Sequence, residues 1–367
     1  MPARLCGSIV LLLIAPLAGG AATPNVTLGL VVPSSEPEAV SLLRGVQLAV
    51  GDANEAGKGP VALEVQGSGG QWGTAGNDAV HLISQLHADA VISPSDGATN
   101  HLILQVSGRT QVPVASLCSD SSITNAGVIW AVRVVPRTDQ EVETLLASAQ
   151  QPGRSPLNWW AIIPSGRPAR PVRRDIERAA QHTGTHLGKV LEAGGREMDP
   201  AAKARQIVAA APDGVLIWLA PQEAGKVAAA LRAAGYGGRL AGPSPLDSPG
   251  FISAAGAAAN GVCIAGFFAD ENARERARDF QRRFLGRFTE APDFTAAAAH
   301  DAAVVLIEAL RHGKGGSAGS PFPLALPITG VTGILHFDNQ GNRTDPLQVM
   351  FCEKGCFIPL GHGGTKS

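Results

Sequence analysis

Two short stretches hold the residue types best suited to gripping a small ligand. Residues 93–99 read SPSDGAT and residues 116–124 read SLCSDSSIT. Each follows an apolar, β-branched run, which puts it at the carboxyl end of a strand, and the first precedes a helical pattern. Loops there offer hydroxyls and free backbone N–H groups at helix N-termini, and both suit a carboxylate or another polar group. The same residue types also form turns and cap helices, and that reading stands beside the first. Ser95 or Asp96 could reach a ligand from the first loop, but the Asp96 carboxylate would repel an anion. Trp72, in the Gly-rich loop 67–76, either stacks on a ligand or packs as a lid on its own lobe. Trp218 ends an apolar run on the same side.

No pattern proposes a reaction. The chain has no Gly-x-Ser-x-Gly elbow, no His-Glu-x-x-His and no Walker loop. His300-Asp301 lies within a helical pattern and suits capping or packing better than catalysis; His81 and His87 have no evident partner. No Cys/His cluster has metal spacing, so no catalytic residue, metal or cofactor is expected. Cys352 and Cys356 flank Glu-Lys-Gly between apolar runs, which reads as a hairpin with a three-residue loop. In an oxidising compartment a disulfide between them is expected. The pairing of Cys118 and Cys263 stays open. A net charge of −1 leaves no basic footprint for nucleic acid or an anionic membrane.

The elements that position these loops follow from the apolar pattern. Apolar residues make up 45% of the chain and charged residues 17%, enough for a sizeable core. The length suggests two domains. Arg4, the apolar run 9–17 and the small residues 19–23 read as a secretory signal peptide over residues 1–22, with a buried N-terminal helix as the alternative. No other long apolar stretch follows, so the mature chain is expected to be soluble and exported to the periplasm. Strands are expected at 26–32, 61–65, 90–92, 112–115 and 128–134, with helices at 39–55, 77–86 and 100–106 between them. A second series has strands at 159–163, 188–191, 215–219, 239–241 and 262–267. Its helices are 139–149, 172–182, 201–210 and 222–234. Helices 272–288 and 295–311, the latter capped by Asp293, come next, and then a strand 333–337 running into a turn at 338–341. Strand–helix alternation with continuously apolar strands means parallel sheets covered on both faces: an α/β chain of two similar lobes.

Several segments, taken in order, are similar to type I periplasmic solute-binding proteins of the branched-chain amino acid (Leu/Ile/Val) class. They are 90–99 (AVISPSDGAT), 112–124 (VPVASLCSDSSIT), 130–139 (WAVRVVPRTD), 299–303 (AHDAA) and 328–343 (ITGVTGILHFDNQGNR). The resemblance covers nearly all of residues 24–360. It implies two Rossmann-like lobes joined by three hinge crossovers, with lobe one at 24–135 plus 268–325 and lobe two at 136–267 plus 326–367. It also implies a solute trapped between lobes that close by hinge motion, delivery to an inner-membrane ABC permease, and a monomer that does no chemistry on its ligand. In relatives with amino acid ligands, a Ser in the first loop and a Thr in the second hold the α-carboxylate. These align with Gly97 and Ser119, while Asp96 and Ala98 flank the first position and Leu117 would turn a carbonyl toward an ammonium group. The lobe-two aromatics of such relatives are missing at 165–168 and 219–222, and Asp247 stands near the place of their ammonium-binding Glu. The resemblance therefore implies a small polar organic ligand, amino-acid-like, an amide or an organic acid, with a reduced ammonium clamp. A sensing or regulatory protein on the same scaffold is the alternative.

Overall fold

Expected apolar runs such as 90–92 and 215–217 become strands covered on both faces, the edge runs 61–65 and 188–191 are covered only in part, and the helical patterns lie between them. A computed structural model of the chain describes residues 26–33, 36–57, 59–67, 74–124, 127, 129–150, 155–194, 199–267, 271–312, 322 and 327–360. The expected signal segment 1–22 and Trp72 lie outside the described residues.

The first lobe runs β1 (Val26–Val31), α1 (Glu36–Glu55), β2 (Val61–Gln66), α2 (Thr74–Ser84), β3 (Ala90–Ser93), α3 (Gly97–Thr110), β4 (Val114–Ser116) and β5 (Ala131–Arg133). Its strands are all parallel, in the order β2-β1-β3-β4-β5. The second lobe runs α4 (Thr138–Ala149), β6 (Asn158–Pro164), α5 (Ala169–His182), β7 (His186–Ala193), α6 (Pro200–Ala210), β8 (Gly214–Ile217), α7 (Pro221–Ala233), β9 (Arg239–Gly242), α8 (Pro249–Ala255) and β10 (Val262–Gly266). Its parallel strands have the order β7-β6-β8-β9-β10, the same winding as the first lobe. The chain then returns to the first lobe through α9 (Glu271–Phe288) and α10 (Phe294–His312) and the short ribbon β11 (Ile328–Thr329) and β12 (Ile334–Leu335). It ends on the second sheet with an antiparallel hairpin, β13 (Gln348–Glu353) and β14 (Cys356–Pro359). No helix of the described residues is long and apolar enough to cross a membrane.

The two sheets have separate cores. Leu28, Leu30, Ile92, Ala115 and Val132 pack with α10 in the first, and Ile162, Ile217, Leu240 and Ile264 pack with α6 to α8 in the second. Ile328, Leu335 and Phe337 belong to the first core, although the resemblance assigns 326–367 to the second lobe. The last passage between the lobes therefore lies after Phe337.

Three expectations about elements change. The strand 333–337 shrinks to β12, because Gly333 sits at φ 130° and breaks the pleat; Phe337 keeps only an isolated bridge to Arg343. The turn after it is as expected: the Gly341 N–H donates to the Asp338 carbonyl at 2.9 Å, and Asp338 Oδ1 accepts from Gln340 N–H at 2.9 Å. Helix α8 was not anticipated, although Ser248 caps it through Phe251 N–H at 3.3 Å and Pro249 opens its first turn. The disulfide is corrected. In the hairpin Cys352 lies opposite Phe357 and Glu353 opposite Cys356, so the two thiols are on opposite faces. Cys352 is buried, Cys356 is exposed, and both are free. A two-residue turn in place of a three-residue loop shifts the register by one and inverts the face.

Candidate functional site

In each lobe the strand order reverses between the first and third strands, at β1/β3 and at β6/β8. Crevices beyond the carboxyl ends of strands at such reversals are where α/β sheets bind ligands. On the first lobe this crevice is bordered by the start of α1 and by the loop from Ser93 to α3. On the second it is bordered by the loops after β6 and β8, with the segment after β9 beside them.

The first-lobe crevice is occupied by carboxylates of the protein itself. Glu38, in the first turn of α1, accepts hydrogen bonds from the Ser95 N–H at 3.2 Å and from the Ser95 hydroxyl. Asp96 is the N-cap of α3: its Oδ2 accepts from Thr99 N–H at 2.7 Å. Gly97 opens α3, and a Cβ there would stand 3.1 Å from Asp120 Oδ2. Ala98 is exposed in the same turn. Asp293 caps α10 through Ala296 N–H at 2.8 Å and accepts from the Ser41 hydroxyl at 2.7 Å. Burial pushes the Glu38 carboxyl up; the Ser95 bonds offset this in part, and the negative charges of Asp96 and Asp293 add to it. Burial likewise raises Asp293, against the pull of its cap bonds.

From the second lobe, Asp247 reaches the same neighbourhood. It follows a 3-10 turn, Ser244–Leu246, at the end of β9, and its carbonyl accepts from Phe294 N–H of α10 at 3.1 Å, a bond from lobe to lobe. Among the described residues its carboxylate makes no hydrogen bond or ion pair. Burial, and then the charge of Asp293, push it up to about 6. The turn that carries Asp247 is held from behind by Glu141 of α4. The Ser244 hydroxyl donates to the Ala265 carbonyl at 2.7 Å and also bonds Glu141 Oε1, which in addition accepts from Ser244 N–H at 2.7 Å. A hydroxyl has one proton. It therefore donates to one of these two acceptors at a time. Burial raises the Glu141 carboxyl to about 8, against the pull of the Ser244 bonds.

The second expected loop joins the lobes. Ser119 accepts from the Thr138 hydroxyl at 3.2 Å, and its carbonyl accepts from Thr138 N–H at 2.9 Å. Beside it, the hydroxyl and N–H of Ser121 donate to Asp175 of α5 at 2.7 and 3.2 Å. Arg174 donates to Asp120 Oδ1 at 2.9 Å. Burial works to raise Asp120, but Ser122 and Arg174 outweigh it and hold the carboxyl below its ordinary range. Leu117 is buried in the first core, and its N–H donates to the Ser93 carbonyl at 3.2 Å.

Trp218 is corrected: it is 5% exposed and packs among Leu145, Ile163 and Leu216. It follows Ile217 on the opposite face of the sheet, and that face is covered by α4 and α5. The structure thus brings Ser95, Asp96, Gly97 and Ser119 to one wall and Asp247 to the other. Glu38, Asp120 and Asp293 complete the wall. Glu38 was missed because its place after β1 reads in the sequence as a solvent-facing or helix N-terminal acid. Among the described residues no group of three His, Cys, Asp or Glu side chains could hold a metal ion.

The family model described as periplasmic binding protein matches residues 25–325. No curated protein matches the chain. Among solved structures, a leucine-binding protein of Thermotoga maritima is 17% identical over 92% of this chain and 98% of its own, with a TM-score of 0.76. An ABC transporter solute-binding protein from R. palustris, in complex with benzoate, is 17% identical over 92% and 95%, with a TM-score of 0.78. An ABC transporter substrate-binding protein from Desulfitobacterium hafniense, in complex with Leu, is 20% identical over 91% and 99%, with a TM-score of 0.72.

Proposed function

From the premise that the chain belongs to the periplasmic binding protein family, we propose that it captures a small polar organic solute between its lobes. It hands that solute, unaltered, to an ABC importer outside the cytoplasm. The observation that carries this reading is the shared winding of the two lobes, which sets a switch-point crevice at the carboxyl ends of each sheet, with polar loops after β3 and β4 on the first lobe. The signal-like segment 1–22 supports the location.

The wall chemistry narrows the solute. Ser95, aligned beside the place where relatives grip a carboxylate, already donates to the carboxylate of Glu38. Asp120 crowds Gly97, and the Asp247 carboxylate, without a hydrogen bond among the described residues, feels the charge of Asp293. An anion entering here meets several negative charges, whereas an amine or an amide N–H relieves them. Asp247 is the group we assign to a positive or hydrogen-bond-donating end of the solute. The Leu117 carbonyl, the Ser119 hydroxyl and the Gly97 N–H are assigned to its polar remainder.

A thermal-shift panel of amines, amides, α-amino acids and aromatic acids at pH 7.5 tests this. An amine or amide should raise Tm, and Asp247→Asn should abolish the rise. A rise with aromatic acids alone, unchanged in that variant, would contradict the assignment of the solute. No rise with any class would contradict capture itself.

A further inference from the structure

Arg343 was read from the sequence only as the basic residue that closes a turn motif. In the structure its side chain is 1% exposed and meets all three passages of chain between the lobes. Nη1 donates to the Val134 carbonyl at 3.2 Å, on the first passage, between β5 and α4. The guanidinium carbon lies 3.7 Å from the centroid of the Phe267 ring, on the second passage, directly after β10. Nε donates to Asp345 Oδ2 at 2.7 Å, on the third passage, which leads into β13. One planar cation therefore touches every covalent link that a lobe rotation must twist.

The fork is also tied to the body of the first lobe. Nη1 donates to the Thr332 hydroxyl at 2.7 Å and Nη2 to the Thr332 carbonyl at 3.3 Å. The Thr332 hydroxyl passes its own proton to Asp301 Oδ2 of α10 at 2.5 Å. Asp301 also accepts from Val331 N–H at 2.6 Å and Thr332 N–H at 2.9 Å. Arginine suits this position because its donors are fixed in one plane while its face stacks on a ring; a lysine could make either contact but not both. Asp345 and Asp301 offset the buried charge. What is left is directional: the bonds to Val134, Thr332 and Asp345 hold only over a narrow range of angle between the passages.

We propose that Arg343 is the pin of the hinge, a positioning residue whose contacts with Val134, Phe267, Thr332 and Asp345 set the angle between the lobes. The proposal rests on the solute-capture reading, in which that angle changes. Weakening the pin alters how far the lobes open and leaves the interior of each lobe as it is. Phe267→Leu removes the ring and keeps every hydrogen bond of the guanidinium; Arg343→Lys keeps the charge and loses the fork.

Small-angle X-ray scattering of the mature chain without solute reads the angle, and far-UV circular dichroism reads the lobes. The expected result is a larger radius of gyration and a longer maximum dimension in Phe267→Leu than in the parent, with the circular dichroism unchanged. Arg343→Lys should fall between the two or beyond Phe267→Leu. Two outcomes overturn the proposal. One is parental scattering from both folded variants. The other is unfolding of both, which would make Arg343 a determinant of the fold alone. The solute panel distinguishes the two readings. Variants that open, beside a parent that no solute stabilises, keep the pin and remove capture; a parent stabilised by a solute, with variants that do not open, does the reverse.

Discussion

Asp301 and Asp247 are both carboxylates set into inner surfaces of the molecule, and they titrate in opposite directions. Asp301, fully buried in α10, accepts bonds from Val331, Thr332 N–H and the Thr332 hydroxyl, and lies near Arg343 and His300. Burial works to raise it, but these partners outweigh burial and hold it below the ordinary range. Asp247 keeps only burial and the repulsion of Asp293, and is pushed up to about 6. Asp301, at the hinge, is matched by donors from Val331 and Thr332, whereas the Asp247 carboxylate has no hydrogen bond among the described residues. A group whose partner is permanent belongs to the fold. A group without one is available to something that comes and goes.

Breaking the satisfied side should have the largest effect. Asp301→Ala leaves two buried N–H groups and the Thr332 hydroxyl short of an acceptor and removes a countercharge near Arg343, and should lower stability by about 3–5 kcal/mol in urea unfolding. A loss below about 1 kcal/mol would show that Arg343 is compensated by other groups.

Glu141 sharpens the contrast, because burial raises its carboxyl although Ser244 bonds it. Its folded value of about 8 lies above the ordinary 4.5. Between those values the native state holds one proton more than the unfolded chain, so its contribution to stability is present at low pH and is lost as pH rises to about 8. Glu141→Gln can bond Ser244 without titrating. It should remove that slope and lead the parent by on the order of 3 kcal/mol at pH 8, with little difference at pH 4.5. Parallel stability profiles of the two proteins would show that Glu141 gains no proton on folding and contradict its raised carboxyl.

Asp247 tests the unsatisfied side. Its carboxyl is raised, so its ionisation costs stability as pH rises from 3.8 to about 6. Asp247→Asn should gain about 1 kcal/mol above pH 6. The same substitution should weaken capture of an amine about tenfold or more. In the parent, capture should weaken as pH falls through about 6, when the carboxylate is neutralised; titration calorimetry at pH 5 and 7.5 checks both statements. The smallest effect belongs to Cys356, which lies apart from both regions. It should react with a thiol reagent ahead of buried Cys118 and Cys352, and Cys356→Ser should change stability by less than about 0.5 kcal/mol.

The fold was legible in the sequence because apolar runs such as those of β1, β3 and β8 are covered on both faces and can be nothing but central strands. The polar loops after β3 and β4 were legible for the same reason, as breaks between such runs. What escaped depends on distances that no local pattern encodes. The Arg174–Asp120 and Ser121–Asp175 contacts join α5 to a loop on the other lobe and exist only at this angle between them. Ser95 read as a free hydroxyl because its partner, Glu38, is on another element. Trp218 read as lying toward the cleft because it ends an apolar run, but alternation after Ile217 turns it onto the face that α4 and α5 cover. Cys352 and Cys356 misled through the same parity: one residue fewer in the turn sends the thiols apart. Arg343 carried no signal beyond its motif, since its role is the meeting of three distant segments.

The most direct test of solute capture is native mass spectrometry of the mature chain incubated with a pool of amines, amides and amino acids. Capture predicts one molecule bound per chain, carrying an amine or amide, released at its original mass and absent from Asp247→Asn. A bare chain across the whole pool, or release of a molecule whose mass has changed, would contradict it.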